Sequence, residues 1–392
     1  MERTKVKNLA RQIRGVSYKP EDLHDSLDDT AVILLRANNI DEGKINFDDV
    51  VYVDKSKVSN EQYLKVGDVL ICASSGSKQL VGKAASVDFD TPCTFGAFCK
   101  VVRPNNDVAD YLGKYFQSGV YRRKISEVAI GANINNIRNE HIDSLDIPIY
   151  ESDQVRGIVE KIGLLQNIID NRKCELSKLD ELIKARFVEM FGTYPSNEKG
   201  WGVGTIRDLV TEVRYGSSRK AANGDSGKYY YLRMNNITYG GELDLTDTKT
   251  IDIPDEELDK CAVRRGDLLF NRTNSKELVG KTCVYNRDEM MVLAGFVVRV
   301  RLNDSALPEF VSAFLNTDFS KQMLLNMCKA AIGQANINAQ ELQNIGIYIP
   351  PIELQKEFVS FKAQVDKSKV VVQKALDEAQ ILFDSLMQEY FG

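Results

Sequence analysis

The chain has 392 residues, 43% of them hydrophobic, and a formal net charge of −5. That length suffices for two or three domains with real apolar cores, and the acidic sum excludes a general polycation that would coat nucleic acid unaided. Seven scattered cysteines, none in a CxxC pair, fit free thiols in a reducing compartment. No apolar run reaches the ~18 residues needed to cross a bilayer, so the expected location is the cytoplasm.

β-rich runs bordered by Gly or Asn predict strands at residues 31–35, 50–53, 68–72 and 99–103, followed by a short amphipathic helix at 110–116. Next comes a long helix over 153–191. Its apolar positions Ile158, Ile162, Leu165, Ile169, Leu176, Leu179 and Ile183 follow heptad spacing, broken once at Arg172. Ser152 or Asp153 is the expected N-cap, and Gly192 stands where a left-handed C-terminal cap is favoured.

The second half predicts the same series. Strands are expected at 229–233, 248–253, 267–271 and 296–301, a short helix at 309–315, and a long helix from Ile352 behind Pro350 and Pro351. Its seam reads Phe358, Phe361, Val365, Ser368, Val372, Ala375, Ala379, Leu382 and Leu386. Such long helices need a partner for their seams, and the nearest is the other copy. The fold class is therefore α+β: two similar mixed α/β domains joined by two long helices that form an antiparallel coiled coil, with internal pseudo-twofold symmetry.

The duplication is also explicit in the letters. RANNIDEGKINF at Arg36 returns as RMNNITYGGELDL at Arg233, and GDVLICASSGSKQLVGK at Gly67 as GDLLFNRTNSKELVGK at Gly266. GANINNIRNEHIDSLDIPI at Gly131 returns as GQANINAQELQNIGIYIPP at Gly333, and LIKARFVEMFG at Leu182 as LFDSLMQEYFG at Leu382. One repeat is half the protein, far longer than the ~20–50 residues of a solenoid unit. A pseudo-dimer of this kind should bind something with two related halves.

Catalytic parts are missing. ELVGKT, ending at Thr282, looks like the tail of a phosphate-binding loop, but the glycine such a loop needs is replaced by Ser275. His24 and His141 lie near no partner motif, so no catalytic residue and no metal ligand is assigned. What remains is polar loop chemistry suited to base edges and phosphates. The candidate DNA-binding residues are Ser74, Ser75, Ser77, Lys78 and Lys83 in the first copy. In the second they are Arg214, Ser217, Arg219, Lys220, Arg272, Asn274, Lys276 and Lys281. The framework around these loops matches between copies while the loop tips differ, as two readers of different short sequences require. Two other readings stay open: a coiled-coil scaffold for proteins only, and a nucleotide hydrolase using the GKT-like loop.

Taken in order, the GD…VGK pair, the GANIN pair and the helix ending LDELIKARFVEMFG resemble the specificity (S) subunit of type I restriction–modification enzymes, over essentially the whole chain. That resemblance implies target recognition domains at 1–150 and 193–351, with conserved spacer helices at 151–192 and 352–392. It also implies a non-catalytic role, with double-stranded DNA and two methyltransferase subunits as partners and restriction/translocase subunits joining for cleavage. No cofactor would be bound by this chain, S-adenosylmethionine belonging to the partner methyltransferase.

Overall fold

A computed structural model of the chain describes residues 2–77, 79–128, 135–222, 224, 226–328 and 335–392. Lys78 and the first residues of both GANIN-type segments lie outside them. The chain divides into two compact units, Met1–Lys173 with Lys374–Gly392, and Cys174–Gln373.

In the first unit an antiparallel sheet runs Ala84–Ser86, Val69–Cys72, Cys99–Pro104, Ala10–Arg14. A second sheet runs Cys93–Phe95, Ala31–Leu35, Val51–Asp54, Leu23–His24, its first pair parallel. The VLIC run is apolar at every position because the strand is covered on both faces. Val69 and Ile71 enter the core shared with the helices, while Leu70 and Cys72 enter the core of the second sheet.

The second unit repeats the plan. Its first sheet runs Thr282–Val284, Leu268–Asn271, Val297–Leu302, Val210–Tyr215. The second contains Met291–Leu293, Tyr229–Leu232 and Lys249–Ile251, again with its first pair parallel. The fourth strand differs in both chain position and edge: Leu23–His24, ahead of the sheet's other strands, pairs with Val51–Asp54, whereas Ala262–Val263, after Lys249–Ile251, pairs with Met291–Leu293. A helix at Asp255–Cys261 precedes that strand. The buried Arg299 fastens it, donating to the Asp259 and Ala262 carbonyls and to Glu212 at 2.8 Å.

The repeated Arg-x-Asn-Asn block owes its form to one turn. Asn39 Oδ1 accepts the Arg36 N–H at 2.8 Å, and Asn236 Oδ1 accepts the Arg233 N–H at 2.9 Å. Each arginine then reaches a carboxylate further on, Asp49 and Asp247, both at 2.9 Å.

The long helices are Ser152–Phe191 and Ile352–Phe391, 40 residues each. In the first unit Ile158, Ile162, Leu165 and Ile169 from the start of one share a core with Ala379, Phe383, Met387 and Phe391 from the end of the other. In the second unit Phe187 and Phe191 from the end of the first helix meet Phe358 from the start of the second, rings 5.3 and 5.7 Å apart. Start meets end in both units, the order of an antiparallel pair.

Two details differ from the sequence reading. The second seam slips by one residue: Leu382 is 51% exposed while Phe383 is buried, and Lys369 rather than Ser368 turns inward. A heptad count assumes 3.5 residues per turn, and a straighter helix drifts away from it by ~20° per heptad. The N-cap is Glu151, one residue early, because its carbonyl accepts the Val155 N–H at 2.9 Å and its N–H donates to Gln154 Oε1. Gly192 behaves as expected, at φ +83° with its N–H on the Val188 carbonyl. Among the described residues no helix is long and apolar enough to cross a membrane.

Candidate nucleic-acid interface

In each unit the fold brings together blocks that lie far apart in sequence. The short strand Ser74–Ser75 pairs with Asn135–Asn136, and Thr273–Asn274 pairs with Ala335–Asn336. The Ile137 and Ile337 N–H groups donate to the Ala73 and Arg272 carbonyls at 2.8 and 2.9 Å. The other side of each loop is held by a turn between sheets: the Phe98 carbonyl accepts from Ala73 and Ser74, and the Phe296 carbonyl accepts from Arg272. The loops thus start from a fixed backbone, which is the condition for aiming side chains at a ligand.

The turns themselves are braced. Cys99 N–H reaches the Gly96 carbonyl and Val297 N–H the Ala294 carbonyl, placing Phe98 and Phe296 third in equivalent four-residue turns. Behind them Gly15 and Gly216 approach so closely that an added Cβ would lie 2.1 Å from the Gly96 oxygen and 2.3 Å from the Ala294 oxygen. The two rings stand in solvent, 71% and 52% exposed. Sequence reasoning passed over both, although phenylalanines 198 apart at the mouth of a predicted strand were a usable signal.

The expected residues take different places. Ser74 and Ser75 are half-buried on the loop and Ser77 is exposed, its N–H on Ser75 Oγ at 3.1 Å. Lys83 is drawn to Asp41, 3.2 Å away. Arg272 lies over the Tyr215 ring, 5.0 Å from its centre, with its buried Nε unpartnered. Tyr215, also absent from the expected set, is held by the Ala339 N–H at 3.0 Å. Asn274 accepts the Ser275 N–H, and Lys276 is exposed.

Further away, Arg219 makes a two-pronged contact with Glu257 at 3.0 and 2.6 Å, Arg214 pairs with Glu212, and Lys220 is exposed. Ser217 is buried as the brace of the Phe296 turn, its N–H on the Leu293 carbonyl at 2.6 Å. Lys281 is only 7% exposed, and burial pulls its ammonium below the usual lysine range. Little of its side chain is exposed, which fits the alternative that the Gly-Lys pair simply closes a hairpin.

That Gly-Lys pair closes a hairpin. The Gly280 N–H meets the Asn271 carbonyl and the Asn271 N–H meets the Lys281 carbonyl, and strand Thr282–Val284 follows where a nucleotide loop would open a helix. The hydrolase reading has no support in this geometry. Gly82 and Gly280 sit at φ +81° and +78°, and a Cβ there would lie 2.5 Å from Ile125 and 2.7 Å from Leu324. Gly280→Ala is expected to destabilise the second unit by roughly 1–3 kcal/mol, read as a lowered thermal midpoint of the full chain. An unchanged midpoint would show that the turn relaxes freely.

Residues 198–379 match the family model described as type I restriction modification DNA specificity domain. The chain is 29% identical to the type I restriction enzyme EcoKI specificity subunit of Escherichia coli K12, over 98% of this chain and 86% of the relative. It is 28% identical to the StySPI specificity subunit of Salmonella potsdam, with the same coverage. Among solved structures, the S subunit of a type I restriction–modification system from M. genitalium aligns over 100% of this chain and 96% of its own, at TM-score 0.52 and 12% identity. A chain from a structural study of complex assembly and conformational transition in a type I R-M system aligns over 100% and 97%, at TM-score 0.53 and 17% identity. With its duplicated plan, its loops and its relatives in agreement, the chain is similar along almost its whole length to type I restriction–modification specificity subunits, and residues 198–379 match the DNA specificity domain of that family.

Proposed function

We propose that the chain reads a bipartite DNA target, one half-site per recognition lobe, and scaffolds the methyltransferase and restriction subunits of a type I complex. One observation carries the reading: two lobes share a strand plan and a braced loop, yet the loops present different side chains, Ser74, Ser75 and Ser77 against Arg272, Asn274 and Lys276. A matched frame with unlike tips suits two different short sequences.

The energetics fit that division. Each correctly read base pair is worth roughly 1–3 kcal/mol, so a half-site of a few pairs binds weakly alone. Two half-sites on one stiff frame gain through effective concentration. The acidic sum of −5 is compatible with DNA binding if two methyltransferase subunits share the phosphate contacts. The chain itself would contribute no chemistry and hold no cofactor; S-adenosylmethionine would sit in the partner, and the complex would work in the cytoplasm.

The deciding experiment combines purified chain, its methyltransferase partner and S-adenosylmethionine on genomic DNA, with methylation mapped at single-base resolution. Methylation confined to one split sequence, and absent when either protein is omitted, is expected. Methylation of the same sites without the chain would end the proposal, as would DNA binding absent at every salt concentration, which would favour a scaffold for proteins only.

A further inference from the structure

In both units the hairpin that follows the Arg-x-Asn-Asn block reaches a long helix through opposite charges. In the first unit the antiparallel pair Ile40–Asp41 and Lys44–Ile45 is closed by Glu42 and Gly43, both at positive φ (44° and 79°). This two-residue turn matches strand twist and projects its flanking side chains outward. Glu42 meets Lys173, and Lys44 Nζ lies 2.6 Å from Asp170. The charges are reversed between the two pairs, so they fit in one register only.

The second unit concentrates the same function in one residue. Lys369 Nζ donates to Asp180 at 2.6 Å and to Glu242 on the hairpin. Its side chain is 13% exposed, against 44% for Lys173. Lys369 lies on the second long helix, Asp180 on the first and Glu242 on the lobe, so one ammonium joins three elements. It also occupies the seam where an apolar side chain would ordinarily pack. A polar group in such a seam sacrifices stability for register.

We propose that Lys369, with Glu242 and Asp180, is a positioning residue that fixes the tilt of the second lobe on the helices, and that the Glu42–Lys173 and Lys44–Asp170 pairs do the same for the first. This rests on the reading above that each lobe reads a half-site. Lobe tilt decides which gap between half-sites both loops can span, so these ion pairs select gap length without touching a base. Only the Lys369 ammonium in the second lobe is largely buried; its carboxylate partners stand half in solvent, as do the first lobe's pairs, so salt should weaken both sets.

The test uses the full chain with its methyltransferase on duplexes whose two half-sites stay constant while the gap varies by single base pairs. Misplacing a reactive group by about 1 Å costs about a hundredfold, so wild type should discriminate by that order against a gap one pair too long or short. Lys369→Met should narrow the discrimination to about tenfold while base preferences at each half-site stay the same. Lys369→Arg should restore it, and Glu242→Gln, an exposed change that leaves the fold intact, should move it in the direction of Lys369→Met. Unchanged gap discrimination in both Lys369→Met and Glu242→Gln would overturn the assignment. So would altered base preference, which would make Lys369 part of the reading surface. Wild type that ignores gap length altogether would instead bring down the bipartite reading itself.

Discussion

Replacing Arg272, Asn274 and Lys276 together by alanine is expected to erase recognition of one half-site and leave the other's sequence preference intact. The three side chains extend from a segment held by its main chain: the Arg272 N–H on the Phe296 carbonyl, the Ile337 N–H on the Arg272 carbonyl, and the Thr273–Asn274 strand against Ala335–Asn336. Alanine leaves all of these bonds in place. Arginine can make a two-pronged contact with guanine and asparagine with adenine, each worth ~1–3 kcal/mol of discrimination. Losing two such contacts should lower methylation of the affected sequence by about a hundredfold or more. Methylome mapping with the variant decides the matter, and simultaneous loss of preference at both halves would refute independent readers.

Asp68→Ala should have the largest effect on stability. Asp68 is 1% exposed and takes both prongs of Arg103, at 2.8 and 2.6 Å, while a further oxygen contact caps the Lys65 N–H at 2.9 Å. Removing the carboxylate leaves a nearly buried guanidinium with only the Glu61 and Tyr63 carbonyls for company. Breaking a buried pair in this way costs about 3–5 kcal/mol, because the remaining charge is uncompensated. Denaturant unfolding should show the loss in the first unit, and Arg103→Met added to Asp68→Ala should recover much of it. Absence of recovery would mean that the aspartate acts through its turn rather than through the ion pair.

Much of this architecture was legible in the sequence because the duplication supplied each prediction twice. The strand runs at 68–72 and 267–271 and both long helices carry apolar patterns that no other element competes for. Seam register was less legible, since Leu382 and Phe383 are both apolar and only packing chooses between them. Lysine at 281 looked like loop chemistry, yet the strand that follows turns it inward. Phe98, Phe296 and Tyr215 were missed for the opposite reason: aromatic letters at a strand read as core, whereas braced turns leave the two phenylalanines in water and Tyr215 ends its strand half-exposed. The helix at Asp255–Cys261 hid inside an acidic stretch, and its anchor, Arg299, occupies a strand position where the first copy has Val101.

The division of the chain has a consequence for its synthesis. The first unit contains Lys374–Gly392, and its core includes Ala379, Phe383, Met387 and Phe391. A nascent chain therefore cannot complete the core of its N-terminal lobe until residues 374–392 have emerged from the ribosome, whereas everything the second lobe's core needs has already been made. The half made first is thus the half whose core is completed last. A premature stop before Ala379 would strip apolar cover from the half that was translated first.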